Sequence, residues 1–455
     1  MKFYDSMEKS TVSLDLPADS VVRVFVCGPT VQDNIHIGHG RTYIFFDTMV
    51  KYLRSKGLEV FYLQNITDID DKIINRALEL NTSFQDVSET YLRKYLSLMK
   101  RLRIDSVNFY ARATFHIRHI IDQISRLIDI GLAYETSDGV YFKISGFKEF
   151  GKLSGQNTES LLAGARITPA ENKLDPRDFV LWKKRKAGEP FWNSPWGDGR
   201  PGWHVEDTAI TETYFGKTYD IHGGGSDLMF PHHDAEIAIE RSLSGEEILA
   251  RYWIHTGMVN VHDEKMSKSL KNYVLLDDIL QKWDPGIVRF WALSALYRSM
   301  VNYDDQSLEE ARVNVGFIRN VYHRLRSRDS FGAGSGHDFS KLANKIADAI
   351  DNDFNFREGF VILRENLQEA WNSFEALSEK ETHDLIEVIE WVDSFAGILP
   401  DGSDRKKDGL VKIMINLRKD LRKERKYDLS DKIRSSLLEL GIHLEDQGDE
   451  TLWWE

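Results

Sequence analysis

The chemistry in this chain starts at His36-Ile37-Gly38-His39. A Gly-containing loop that feeds a helix N-terminus presents backbone N–H groups and a positive dipole end, a natural seat for phosphate. His36 and His39 add imidazoles there that hydrogen-bond phosphate oxygens without a permanent charge. Far downstream, Lys265-Met266-Ser267-Lys268-Ser269 lies in a polar, Gly-poor stretch. In a chain of this length the first string arises by chance with probability on the order of 10⁻³ and the second nearer 10⁻⁴. A second candidate is metal chemistry. His232 and Glu236 are four apart in HHDAEIAIE, and on a helix this spacing stacks both side chains on one face, as metal-ligand pairs require. His233 competes with His232 on spacing alone. Cys27 is the sole cysteine and lies beside the first phosphate loop, where a chemical role would place it. Its structural alternative is a buried strand-end thiol.

Regular elements must hold these groups. Val21, Val22, Val24, Phe25 and Val26 form a short apolar, β-branched run closed by Gly28-Pro29, which predicts a buried strand. Tyr43, Ile44, Phe46, Met49, Val50 and Leu53 then predict an amphipathic helix that stops near Gly57. Val60 to Leu63 reads as a second buried strand, followed by the polar run Asn65-Ile66-Thr67-Asp68. Open α/β sheets place ligand sites at that end of their strands. Helical patterns run from about Ile73 to Arg103 and from His116 to Gly131, and short strands from Tyr134 to Ser154. Trp203-His204-Val205-Glu206-Asp207 alternates with period two, so as a strand it sets Trp203, Val205 and Asp207 on one face. Gly223-Gly224-Gly225 reads as a loop whose bare backbone can approach a flat ligand. Nearly everything past residue 275 reads helical, with breaks at Phe331 to Gly336 and Pro400 to Ser403.

Composition fits a globular enzyme of several domains: 455 residues, 42% hydrophobic and 29% charged. One cysteine excludes an internal disulfide framework. No apolar run approaches a membrane span, and MKFYDSMEKS lacks the regions of a signal peptide, so a cytoplasmic protein with no membrane partner is expected. Lys plus Arg number 59 against 72 Asp plus Glu, a net charge of −13, which argues against indiscriminate nucleic-acid binding. A local basic face remains possible at Arg418-Lys419, Arg422-Lys423 and Arg425-Lys426, with a solvated helix surface as its alternative.

The two phosphate-loop strings, in this order and this far apart, resemble class I aminoacyl-tRNA synthetases. CGPTVQDNIHIGHGR, NITDIDDKI, DGVYF, FGKLSG, EPFWNSPWGDGRPGWH, DIHGGGSDLMFPHHDAEIA and DEKMSKSLKN sharpen the resemblance to the cysteine-specific enzymes, and the C-terminal DLSDKIRSSLLELGIHLED extends it over essentially the whole chain. The resemblance implies an α/β Rossmann-like catalytic domain in two halves (1–110 and 201–275), split by a connective α+β insertion (111–200). A helical tRNA-binding bundle (276–400) and a small anticodon-side domain (401–455) follow. It implies activation of L-cysteine by ATP and transfer to tRNA(Cys), in a chain expected to be a monomer. His36 and His39 would contact the triphosphate, and Gly38 would leave room for adenine. Lys268, with Lys265, would stabilise charge on the attacked α-phosphate. Mg²⁺ would accompany ATP. Gly223, Gly224 and Gly225 fall at the nucleotide, and Thr30, Thr67, Trp203 and Asp227 are candidate contacts to substrate cysteine or ribose. A Zn²⁺ that separates thiol from hydroxyl would be held by Cys27, Asp207, His232 and Glu236. The family has cysteine at the place of Asp207. Either the carboxylate serves as fourth ligand, or Asp207 hydrogen-bonds locally and no metal binds. Two further functions share these features: a ligase joining cysteine to an amino-sugar in thiol biosynthesis, and a non-catalytic tRNA-binding paralogue. Asp351 to Phe356 lacks the proline usual in the family, which bears only on local helix geometry.

Overall fold

A computed structural model describes residues 1–15, 21–159, 161, 172–245, 248–261, 264–266, 273–400, 405–447 and 450–454. Lys268 lies outside them, and of Lys265 only the backbone is described.

Val22, Val24, Phe25 and Val26 are fully buried because they form the middle strand of a parallel sheet. After the short antiparallel hairpin of β1 (Lys2–Asp5) and β2 (Ser10–Ser13), the described strands of this sheet are β3 (Val22–Val26), β4 (Val60–Ile66), β5 (Phe109–Arg112), β10 (Tyr219–Gly225) and β11 (Ala250–Thr256). Their order is β11-β10-β3-β4-β5 and every pairing is parallel. Helix α1 (Ile37–Ser55) crosses from β3 to β4. The helical stretch expected from Ile73 is two helices, α2 (Asp71–Leu80) and α3 (Phe84–Arg101), because Asn81 takes a left-handed conformation and Ser83 caps the second.

After α4 (Ile117–Asp129), the insertion forms an antiparallel sheet of β6 (Ala133–Glu135), β7 (Gly139–Phe142), β8 (Phe179–Lys184) and β9 (Gly199–Pro201). The strand expected at Trp203 to Asp207 is instead helix α5 (Trp203–Phe215). Every residue from Val205 to Thr211 is buried, so the helix has no polar face to reveal its 3.6 period, and the local alternation mimics a strand. With α6 (Asp234–Ser244), α5 packs on the insertion: Ile120 and Ile124 of α4, Phe142 and Trp182 of the sheet, Val205 and Ala209, and Ala238 and Ile239 share one core. A polar spine runs beside it. Gln123 of α4 accepts from Thr208 at 2.7 Å and donates to Glu212 at 3.0 Å and Glu240 at 2.9 Å, fixing α5 and α6 in register.

The chain divides into two compact units. One comprises Met1–Trp283, Ala295–Tyr303 and Asp351–Asn355, and the other Asp284–Ser294, Asp304–Ile350 and Phe356–Glu455. Within the second, buried Arg289 donates to the Ala396 carbonyl at 2.6 Å, and Arg319 to the Ile398 carbonyl at 2.7 Å and to Asp284 at 2.6 Å. Its C-terminal part pairs helices Arg405–Lys423 and Tyr427–Glu439 with the hairpin His443–Gln447/Glu450–Trp454. The basic face expected there is smaller than the sequence suggests. Arg418 is buried and grips Asp446 through two bonds of 2.6 and 2.7 Å, and Arg422 also reaches Asp446.

Candidate active site and metal centre

In the order β11-β10-β3-β4-β5 the chain leaves β3 toward β4 and β5, then resumes on its other side at β10 and β11. Connections therefore depart in opposite directions from β3 and β10, and a crevice opens at their carboxyl ends. Cys27 follows β3 there, its amide donating to the Gly223 carbonyl at 3.0 Å.

Three metal-ligating side chains converge on the Cys27 thiol, and all are buried. Asp207 comes from the first turns of α5, with Oδ2 3.4 Å from Cys27 Sγ and 3.1 Å from His232 Nε2. His232 comes from an irregular turn just before α6, and its Nε2 is 2.9 Å from Glu236 Oε1. Glu236 Oε1 is 4.0 Å from the thiol. The four-residue spacing thus brings the pair together, although His232 precedes the regular helix. Zn–donor bonds of about 2.0–2.3 Å at tetrahedral angles separate donors by roughly 3.3–3.8 Å, so Cys27, Asp207, His232 and Glu236 have the spacing and chemistry of a zinc site. The electrostatics agree. Burial pushes the Cys27 thiol well above its ordinary range, with Glu236 and Asp207 adding. Burial likewise raises Glu236, against the pull of His232. Burial lowers His232, but Glu236 and Asp207 outweigh it and raise the imidazolium. Such a concentration of buried acid is relieved by a cation.

Further side chains surround this cluster. Asn65, at the end of β4, donates its side-chain amide to Asp207 Oδ1 at 2.5 Å. His232 stacks on Trp203 at 3.9 Å, and its Nδ1 is 2.9 Å from His204 Nδ1. His222 of β10 and His233 approach Cys27 Sγ from the other side, at 3.7 and 3.2 Å. Asn65 follows the run Val60 to Leu63, whose burial was legible, but period two cannot say which buried polar residue faces a thiol.

At the other end, the His36-to-His39 loop opens α1. His36 caps the helix: its Nδ1 accepts from the Gly38 amide at 3.1 Å, and His39 Nδ1 accepts from the His36 amide at 3.4 Å. The Ile37 amide donates to the Val274 carbonyl. The first amides of the helix, expected to face phosphate, are thus partly spent on this capping box. Burial lowers His39 to about 4, which keeps it neutral. A Cβ on Gly38 would fall 2.9 Å from His36 Cε1, so this glycine makes room for the histidine ring. A cavity of about 380 Å³ connects Cys27 and Trp203 to His36 and His39, and Thr30, Gly225, Asp227 and Met266 line it too.

Thr67, Gly223 and Gly224 are not among its lining residues. Thr67 is buried and bridges Thr30 from the next strand. Gly223 and Gly224 lie within β10, not in a loop. A Cβ on Gly223 would strike the Phe46 ring at 2.3 Å, and one on Gly224 would meet His233 Cε1 at 3.1 Å. Both glycines therefore admit protein side chains.

Comparison with known proteins matches this architecture. The family profile described as the tRNA synthetases class I (C) catalytic domain covers residues 15–313. The fold is shared with a Mycobacterium tuberculosis methionyl-tRNA synthetase in complex with methionyl-adenylate, at a TM-score of 0.59 and 15% identity over 83% of this chain and 89% of that one. It is shared also with the LeuRS of an Agrobacterium radiobacter LeuRS–tRNA–LeuAMS complex, at a TM-score of 0.62 and 12% identity over 85% of each chain. The fold and the family profile are those of a class I aminoacyl-tRNA synthetase. A cysteine–tRNA ligase of Thermoplasma acidophilum is 51% identical over the full length of both chains, and one of Thermococcus kodakarensis is 43% identical over 100% of this chain and 98% of its own. The chain belongs to the cysteine–tRNA ligase family. No described helix is long and apolar enough to cross a membrane.

Proposed function

We propose that this chain joins L-cysteine to tRNA(Cys) in two steps within the cavity between Cys27 and His39. The cysteine carboxylate attacks the α-phosphorus of ATP, forming cysteinyl-adenylate as pyrophosphate leaves. The terminal adenosine hydroxyl of tRNA(Cys) then attacks the acyl carbon, and AMP leaves. The observation that carries this reading is the continuity of one cavity from a thiol-selecting cluster to the phosphate loop.

Each end has its task. Cys27, Asp207, His232 and Glu236 would hold zinc, which supplies a soft Lewis acid that prefers thiolate to hydroxyl. Trp203 walls this pole and fixes the His232 ring by stacking. Thr30 and Asp227, which line the cavity, would meet the amino and carboxylate groups or the ribose, with Thr67 bridging to Thr30 from the next strand. His36 and neutral His39 would donate to the triphosphate. Lys268, assisted by Lys265, offsets the charge that grows on the α-phosphate, and Mg²⁺ neutralises the pyrophosphate portion. Gly225 lets the nucleotide approach the end of β10. Arg422, Lys423, Arg425 and Lys426 would serve tRNA, with Arg418 reserved for structure.

Cysteine-dependent ATP–pyrophosphate exchange, followed by charging of tRNA(Cys), tests the proposal. Exchange with cysteine and little with serine is expected. Its absence in folded protein would reduce the chain to an RNA-binding paralogue.

A further inference from the structure

We propose that Cys27, His222, His233 and Glu236 form a second seat for a thiophilic divalent cation, overlapping the first and independent of Asp207. The inference rests on the metal part of the function proposed above. The donor atoms all lie within 4.8 Å of one another and are buried. His233 Nε2 is 3.2 Å and His222 Nε2 3.7 Å from Cys27 Sγ, and His222 Nε2 is 3.3 Å from Glu236 Oε2. Glu236 divides its carboxylate between the two seats: Oε1 faces His232 at 2.9 Å, while Oε2 faces His222.

Both imidazoles of the second seat are oriented as metal ligands are, with the far nitrogen held by a hydrogen-bonding partner. His222 Nδ1 is 2.6 Å from the Tyr219 hydroxyl. His233 Nδ1 is 2.8 Å from His255 Nε2, and His255 Nδ1 is 2.8 Å from Ser6 Oγ. Packing fixes the rings as well, since His222 stacks on Trp253 at 4.2 Å and Gly224 leaves the space that His233 fills.

The donor set suits such an ion: one thiolate and one carboxylate balance the charge of a divalent cation, and two imidazoles complete four ligands. Sharing Cys27 and Glu236, the seats hold one ion at a time. The chain thus has a place for the ion that does not depend on residue 207, where the family's thiolate is replaced by a carboxylate.

The test is retention of Zn²⁺, and the absorption of Co²⁺ substituted for it, in full-length protein and variants reconstituted from the chelated form. Asp207→Ala and the pair His222→Gln/His233→Gln are each expected to retain about one equivalent, and the triple variant none. Asp207→Asn replaces Asp207→Ala if the latter does not fold, judged by melting of the chelated proteins. Loss of the ion from the Asp207 variant while its chelated form melts with wild type overturns the second seat. So does retention by the triple variant. An ion absent from wild type overturns both this seat and the metal part of the proposed function, which cysteine-dependent exchange then tests separately.

Discussion

Asn65 holds Asp207 by one oxygen. Its side-chain NH₂ donates to Asp207 Oδ1 at 2.5 Å while Asp207 Oδ2 faces Cys27 and His232, and its side-chain oxygen Oδ1 accepts from the Gly28 amide at 2.5 Å. A carboxylate in place of a thiolate can rotate and chelate through either oxygen, and this contact selects one. Asn65→Ala is therefore expected to weaken zinc binding by roughly 10–100-fold, the usual effect of removing a partner that orients a ligand. Competition with a calibrated chelator measures it. An unchanged affinity would remove Asn65 from the support of the site.

Gly28 has a second constraint besides that bond. A Cβ there would fall 1.8 Å from the Asn65 carbonyl oxygen, which is backbone and cannot step aside cheaply. Gly28→Ala is expected to destabilise the protein by about 2–3 kcal/mol, as overpacking of a rigid site does. The denaturant midpoint reports it, and a midpoint matching wild type would show that β3 and β4 can part at their ends.

Much of this was legible beforehand. The run Val22 to Val26, the loop at His36 and the pair His232 and Glu236 announce themselves because each depends on local spacing or on an apolar stretch. Asp207 was named as a residue but placed on the wrong element, since α5 is buried at every position from Val205 to Thr211 and shows no helical stripe there. Gly223 and Gly224 suggested a loop because nothing local records that Phe46 and His233 fill the space beside them. Asn65, His222 and His255 stayed silent for the same reason. Their importance arises from contacts between distant segments, which no periodicity encodes.

Glu240 gives a pH dependence of known sign. Burial, then repulsion from Glu212, raises its carboxyl to about 8. The native state keeps a proton that the unfolded chain releases near the ordinary value, so stability falls as pH rises from about 4 to 8 and stays low above. Glu240→Gln keeps the bond from Gln123 and removes the proton. Its stability, followed by thermal melting, should match wild type near pH 4 and exceed it increasingly up to about pH 8, by an amount on the order of a few kcal/mol. Parallel curves would show that Glu240 ionises freely in the fold.

Lys268 tests the phosphate end. Lys268→Ala should slow adenylate formation by roughly 10²-fold or more while cysteine affinity changes little, because its charge acts on the transition state. Single-turnover adenylate formation and equilibrium cysteine binding separate the two. Equal losses in both would assign Lys268 to ground-state binding.

Cys27 and Asp207 meet across a sequence separation of 180 residues, and Cys27 and Glu236 across 209. No early, local intermediate can bring such distant donors together, because the loops between them must close first. An ion that recognises only the finished arrangement contributes nothing to the barrier on the way in and everything to the barrier on the way out. Added zinc should therefore leave the refolding rate of the catalytic unit unchanged and slow its unfolding, making the metal a measure of kinetic persistence.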